Sequence, residues 1–199
     1  MISGVFCALL AAGAGGDYAV DATKSSLVIQ VGKSGLMSFA GHRHAVKAIR
    51  VQGEVHTSPD DLALSHVNLT FETAGLQVDE AGEPKGDAAK VQEAMLGPQV
   101  LDAGRFPTVI FKSTAVAGKG SGAAAYDLQL TGDLSLHGMT RSVVLPVRVE
   151  LSGDTLKASG QLVLRQTHYG ISPVSVAGVV KVKDELTIEY AIVATKSVR

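Results

Sequence analysis

The sequence predicts an all-β protein with about eight antiparallel strands and one short helical insertion, arranged as a single barrel or sandwich. Three observations lead to this class. Apolar and polar residues alternate over most of the chain from Tyr18 onward. Clusters of Gly, Asp and Ser separate the alternating runs. Only one stretch has a helical pattern, and no repeat or long linker divides the 199 residues into two domains.

The strands are predicted from a period of two, which gives each strand one polar and one apolar face. The apolar positions, in chain order, are Leu27, Ile29 and Val31; Val67, Leu69 and Phe71; Tyr126, Leu128, Leu130, Leu134 and Leu136; Val143, Leu145, Val147, Val149 and Leu151; Leu156, Ala158, Leu162 and Leu164; and Leu186, Ile188, Tyr190 and Ile192. The clusters at 58–61, 118–122 and 152–154 are predicted turns. The longest run, 126–137, favours an elongated and strongly curled sheet.

The helix is predicted over 87–96, which reads DAAKVQEAML. Its residues are good helix formers, Asp87 can act as the N-cap, and Gly97-Pro98 ends the helix. Further along, Pro107 forces Phe106 into an extended conformation. A strand over 108–114 is predicted to follow.

The composition excludes several classes of function. Eighteen Lys and Arg against 19 Asp and Glu leave no basic surface for nucleic acid or for an anionic membrane. A single Cys excludes an intramolecular disulfide framework and Cys-based zinc or iron–sulfur sites. Nine aromatic residues are few for stacking single-stranded nucleic acid. A binding module, or an enzyme without thiol chemistry, is left.

Residues 1–16, MISGVFCALLAAGAGG, resemble a secretory signal. The stretch is apolar, ends in small residues around Ala14, and is too short to span a membrane, although it lacks an initial Lys or Arg. We therefore expect a periplasmic or secreted protein with no integral membrane span, whose folded domain is 17–199. Cleavage near Ala14 would also remove Cys7. The alternative is a buried N-terminal segment.

Four ordered motifs carry a family resemblance. They are YAVDATKSSL from Tyr18, the strand at 64–73, LDAGRFPTVIFKST from Leu101, and YDLQLTGDLSLHGMTRSVVLPVRV from Tyr126. A fifth segment, RQTHYGI at 165–171, lies where relatives with these motifs usually have an Arg, then Asp-Phe-Gly, then an Ile. In these motifs the chain resembles the YceI-like, polyisoprenoid-binding family over most of 18–194.

This resemblance implies an exported bacterial protein with a lipocalin-like antiparallel barrel, whose apolar cavity holds an isoprenoid lipid of the quinone or polyprenyl type. The expected role is that of a non-catalytic carrier or storage protein. No catalytic residue and no obligatory cofactor are expected, and the sequence leaves a homodimer open. The bound lipid and a divalent metal are the two ligands to be tested.

An all-carbon chain gains affinity only from apolar area removed from water, so its cavity has to be long and aliphatic. The predicted cavity residues are Leu27, Ile29, Val31, Phe39, Val67, Leu69, Phe71, Met95, Phe106, Leu128, Leu130, Leu134, Leu145, Val147, Leu162 and Ile188. Phe106 and Met95, with Leu96, are expected to cap or line one end. The alternative is that these side chains close an ordinary core.

Histidines suggest a second function. His42 and His44 lie two residues apart, and His137 and His168 come from distant motifs, which gives enough nitrogen ligands for Zn²⁺, Cu²⁺ or Ni²⁺. A pair of solvated surface histidines is the simpler interpretation. His56 and His66 are predicted on polar strand faces.

Catalytic motifs are not found in the sequence. It has neither a Gly-x-Ser-x-Gly elbow nor a phosphate-binding Gly-x-x-x-x-Gly-Lys-Ser/Thr loop. We therefore expect a protein that is not an enzyme. A hydrolase acting at the barrel mouth stays open as a third hypothesis, which predicts ester turnover that His137→Ala abolishes.

Overall fold

The computed structural model describes residues 15–34, 44–82, 87–122, 124–176 and 180–197. Within these ranges there are twelve strands and one α-helix. They are β1 (Gly16–Val20), β2 (Ser26–Ser34), β3 (His44–Ala48), β4 (Val51–Thr57), β5 (His66–Glu72), β6 (Leu76–Val78), α1 (Ala88–Leu96), β7 (Thr108–Gly122), β8 (Ala125–Leu136), β9 (Met139–Ser152), β10 (Thr155–Arg165), β11 (Ser175–Val176) and β12 (Val180–Lys196). Short 3₁₀ turns lie at Leu62–Leu64, Thr73–Gly75, Glu80–Gly82 and Gln166–Tyr169.

Eight of the strands form a closed antiparallel ring. Its order is β1, β4, β5, β7, β8, β9, β10 and β12, and β12 pairs again with β1. The closing pair places Tyr18 opposite Lys196. This arrangement confirms the predicted antiparallel barrel with one short helix. Of the signal-like segment predicted over 1–16, residues 1–14 lie outside the described part of the chain, and Gly16 begins β1.

A branch of three strands extends from β12. β2 follows β1 along the same edge of β12, with Leu27 opposite Tyr190. β3 pairs with β2, and β6 pairs with β3. The next edge of β6 is covered by Gln92 of α1, whose Nε2 donates to the carbonyl of Leu76 at 2.8 Å. The N–H of Val78 donates to Gln92 Oε1, also at 2.8 Å. The Gln92 amide therefore bonds to β6 much as a neighbouring peptide group would.

Side chains alternate between the inside and the outside of the barrel, as the period of two predicts. On β8, Leu130 and Leu134 are buried, whereas Gln129 and Asp133 are exposed. Both faces of this strand therefore agree with the sequence-based prediction. No described helix has the length and apolar character needed to span a membrane.

The predicted turn at 118–122 is wrong. These residues belong to β7, which continues to Gly122 and pairs with β8 as far as Ala125. The pairing of β7 with β8 is irregular, because its register shifts between Ser113 and Ala115 and again between Gly120 and Gly122. Gly118 has φ +149°, a conformation that an L side chain rarely adopts. The glycines therefore allow irregular pairing within a strand. In the sequence, the same cluster of glycines is equally typical of a turn.

Candidate ligand-binding cavity

The barrel interior holds a cavity of about 410 Å³. This volume falls within the range of about 300–1,000 Å³ that is typical of small-molecule sites. The wall consists of aliphatic and aromatic side chains with a few polar residues, and none of the described lining residues is Asp, Glu, Lys or Arg. A group entering this space would therefore leave water for an almost wholly apolar surface.

The barrel strands build this wall by contributing every second residue. β8 provides Leu128, Leu130 and Leu134, and the neighbouring strand β9 provides Leu145 and Val147. Since these positions all point inward, the wall follows directly from the strand alternation. Met95 of α1 completes the wall beside β3 and β6.

Most of the predicted cavity residues lie on this wall. They are Leu27, Ile29, Val31, Val67, Leu69, Phe71, Met95, Leu128, Leu130, Leu134, Leu145, Val147, Leu162 and Ile188. Phe39 lies outside the described residues. That the residues on the wall bind a ligand stays a prediction.

Phe106 does not line the cavity, so its predicted place is corrected. Its ring packs edge-on against His137, with ring centroids 4.7 Å apart, and lies over Gly138. His137 and Gly138 form the tight β8–β9 turn with φ +50° and +72°, and the missing side chain of Gly138 leaves room for the ring. The Thr73 hydroxyl donates to the Phe106 carbonyl at 2.6 Å. These contacts hold Phe106 at the turn.

The sequence prediction missed several wall residues. Val109 and Phe111 alternate within the predicted strand at 108–114, so the same period could have identified them. Val100 and Leu101 also line the cavity, but they come from the turn after α1. A turn has no periodicity, so no sequence signal pointed to these two.

Polar lining residues lie at the ends of the strands. His56, Thr57, Ser65 and His66 lie where β4 ends and β5 begins. The rings of His56 and His66 stack with centroids 5.0 Å apart, and His56 Nδ1 lies 2.7 Å from Asp17 Oδ1. At the opposite end, the 3₁₀ turn after β10 contributes a buried glutamine to the wall.

Tyr190 is a cavity residue whose hydroxyl stays protonated at neutral pH. Burial raises the pKa of Tyr190 to about 12. The hydroxyl donates to the carbonyl of Pro146 at 2.7 Å. Tyr190 therefore adds a satisfied polar group to the wall and no charge.

The four histidines proposed as metal ligands are not all placed. His42 lies outside the described residues, and His44 begins β3 without a described side chain. His137 Nδ1 lies 3.0 Å from the Tyr169 carbonyl oxygen, and His168 is exposed on the adjacent turn. Among the described side chains, no three His, Cys, Asp or Glu are grouped to hold a metal. Metal binding stays a prediction, which calorimetry with Zn²⁺ on wild type and on His42→Ala/His44→Ala tests.

Solved structures share this architecture. Burkholderia cenocepacia BcnA matches with a TM-score of 0.67 at 22% identity, over 88% of this chain and 99% of that one. A polyisoprenoid binding domain from Saccharophagus degradans, described as implicated in plant cell wall breakdown, matches with a TM-score of 0.62 at 13% identity, over 90% and 98%. A Campylobacter jejuni YceI protein matches with a TM-score of 0.59 at 11% identity, over 77% and 85%. At these identities the likeness shows the fold alone.

Curated relatives match over a shorter stretch. A UPF0312 protein of Vibrio parahaemolyticus is 30% identical over 104 residues, which are 52% of this chain and 52% of the relative. A UPF0312 protein of Vibrio cholerae is 29% identical over 131 residues, which are 65% of this chain and 60% of the relative. The chain thus matches between half and three-fifths of the length of these relatives.

The family is shown by a match over most of the chain. The family model described as the YceI-like domain matches residues 18–194, which include all eight strands of the barrel ring except the ends of β1 and β12. The chain belongs to the YceI-like family.

Proposed function

We propose that this protein binds a long isoprenoid lipid of the quinone or polyprenyl type inside the barrel. We further propose that it is a periplasmic carrier or storage protein that leaves the lipid chemically unchanged. The observation that carries the proposal is the cavity of about 410 Å³, whose described wall has no Asp, Glu, Lys or Arg. The polyisoprenoid binding domain of Saccharophagus degradans, which has the same fold, supports the choice of ligand.

The physical basis is the burial of apolar surface. Each Å² of apolar area removed from water contributes about 25 cal/mol, so an all-carbon chain needs a long contact to bind tightly. Inward residues along strands such as β8 and β9 provide that contact. A charged or strongly polar ligand would lose its hydration without gaining a partner along most of this wall. A carrier also needs no acid, base or nucleophile beside its ligand.

The first experiment is organic extraction of the purified protein, followed by mass spectrometry, together with a binding titration using ubiquinone-10. We expect an isoprenoid lipid in the extract, or saturable binding of the added quinone. Recovery of no lipid together with no binding of ubiquinone-10 would contradict the proposal.

A matched pair of variants locates the site. Ala158 lines the cavity, whereas Ala191, on the neighbouring strand, is exposed on the outside of the barrel. Ala158→Phe places a ring in the cavity, so we expect it to weaken ubiquinone-10 binding at least tenfold. Ala191→Phe adds the same ring outside and should bind like wild type. Equal binding by the two variants would place the lipid elsewhere.

A further inference from the structure

β9 and β10 separate along half of their length. Their pairing begins with Ser152 opposite Thr155 and ends with Val147 opposite Gly160. β9 nevertheless stays paired with β8 as far as Met139, and β10 stays paired with β12 as far as Arg165. The barrel wall therefore contains a seam between 139–146 of β9 and 161–165 of β10, where two well-formed strands run without a ladder between them.

The local sequence explains where the ladder ends. On the same register, the next pair would join Pro146 to Gln161, and Pro146 has no N–H to donate. The Tyr190 hydroxyl reaches across Gly160 and donates to the Pro146 carbonyl at 2.7 Å. At the far end of the seam, Arg141 Nε donates to the carbonyl of His168 at 3.1 Å. Two side-chain hydrogen bonds thus lie at its two ends.

Apolar residues lie on both faces of the seam. Val143 and Leu145 on one strand, and Leu162 and Leu164 on the other, line the cavity. On the outside, Val144 is 53% exposed and Val163 is 57% exposed. If the β9–β10 register continued, these two valines would be opposite each other. Exposed apolar side chains beside unpaired strand edges are usually avoided unless the surface has a function.

Two ion pairs flank the seam. Arg148 Nη1 lies 3.2 Å from Asp127 Oδ1. Arg165 Nη2 lies 3.0 Å from Glu185 Oε1. Arg141 lies on the seam itself, at the end away from Pro146, and its guanidinium bonds to the neutral His168 carbonyl.

We propose that the seam is a lateral portal through which the isoprenoid chain passes into and out of the cavity. The proposal rests on the proposed function. Sideways passage lets the chain stay in contact with Val143, Leu145 and Leu162 while it moves, and it breaks no ladder hydrogen bond. Passage between any two fully paired strands would break several. Passage past His56, Thr57 and Ser65 would bring an apolar chain against polar groups.

The test links the two strands across the seam. In a Cys7→Ser background, Val144→Cys/Val163→Cys is joined by a short bis(methanethiosulfonate) cross-linker, which bridges thiols that are too far apart for a disulfide. Transfer of ubiquinone-10 from the loaded protein to phosphatidylcholine vesicles is then timed. We expect cross-linking to slow transfer at least tenfold and dithiothreitol to restore the rate.

The control pair is Glu150→Cys/Lys157→Cys, at exposed and directly opposite positions on the same strands, where the ladder is intact. Its transfer rate should be the same with and without the cross-link. Equal rates for cross-linked and reduced Val144→Cys/Val163→Cys would overturn the portal, as would equal slowing of both pairs. Failure of the proposed function is distinguished beforehand, because it appears as absent ubiquinone-10 binding in the reduced protein.

A second variant keeps the portal testable if the cross-link forms poorly. Arg141→Ala removes the guanidinium that donates to the His168 carbonyl at the far end of the seam, and Arg141 is exposed and does not line the cavity. We expect transfer of ubiquinone-10 to become at least threefold faster while the protein still binds the quinone. An unchanged or slower rate would contradict a portal at this position.

Discussion

At the scale of single residues, the strand face decides what a side chain does. Leu130 is 9% exposed and lies on the cavity wall, whereas Gln129 beside it is exposed on the outside of β8. Both residues belong to the same strand and differ in the face on which they lie. Substitution of both by the same charged residue therefore isolates the effect of the face.

Leu130→Asp should cost several kcal/mol of unfolding free energy or prevent folding, because its charge is buried without a partner. Gln129→Asp should change stability by no more than about 0.5 kcal/mol, because its charge stays in water. Thermal or urea unfolding of the two variants measures the difference. Greater damage from Gln129→Asp would invert the assignment of the two faces.

Phe106 provides a second test at this scale, because its ring packs on His137 and Gly138 and not on the cavity wall. Loss of a fully buried ring costs about 3–5 kcal/mol of unfolding free energy. Phe106→Ala should cost less, because the Phe106 side chain is only half-buried. Saturating ubiquinone-10 should raise Tm equally in Phe106→Ala and wild type, because the quinone affinity is unchanged. A smaller rise in the variant would return Phe106 to the binding site.

At the scale of secondary structure elements, one edge of β6 is hydrogen-bonded by a side chain of α1. Gln92 both donates to and accepts from the backbone of β6, at Leu76 and Val78. It covers a strand edge that would otherwise leave polar groups without a partner. The helix therefore completes the sheet as well as contributing Met95 to the cavity.

Gln92→Ala removes both of these bonds. We expect a loss of about 1–3 kcal/mol, because two backbone groups of β6 are left unsatisfied. Glu93→Ala, at the exposed neighbouring position, should change stability by no more than about 0.5 kcal/mol. Urea unfolding of both variants tests the expectation. Similar small losses would mean that water replaces the glutamine at no cost.

Periodicity explains which elements the sequence could predict. The alternation in β8 and β9 predicts which of their side chains line the cavity. Asp87 and Gly97 predict the two ends of α1 to within one residue. Pro146 alone could not predict the β9–β10 seam, because the strand that its missing N–H faces is set by the pairing, and Tyr190 reaches Pro146 from a third strand. The place of Phe106 was missed for the same reason: its partners, His137 and Gly138, are about 30 residues away.

At the scale of the whole molecule, the barrel is an apolar container, and its thermodynamics should reflect this. Binding of ubiquinone-10 should show a negative heat-capacity change, the most dependable sign of apolar burial. Its Kd should differ little between low and high salt, because no Asp, Glu, Lys or Arg of the described wall offers the quinone a charge to be screened. Calorimetry at several temperatures and salt concentrations measures both. A Kd that rises strongly with salt concentration would indicate a charged contact outside the wall.

The closure of the ring also constrains how the chain folds. β1 pairs with β12, so Tyr18 has to meet Lys196 across almost the entire sequence. Such distant pairing makes folding slow, on the order of milliseconds to seconds for β proteins, because a large loop entropy is lost before the contact forms. Until then, the edges of β1 and β12 stay open to strands of other molecules. Refolding yield should therefore fall as protein concentration rises, through a kinetic competition between closure within one chain and aggregation between chains.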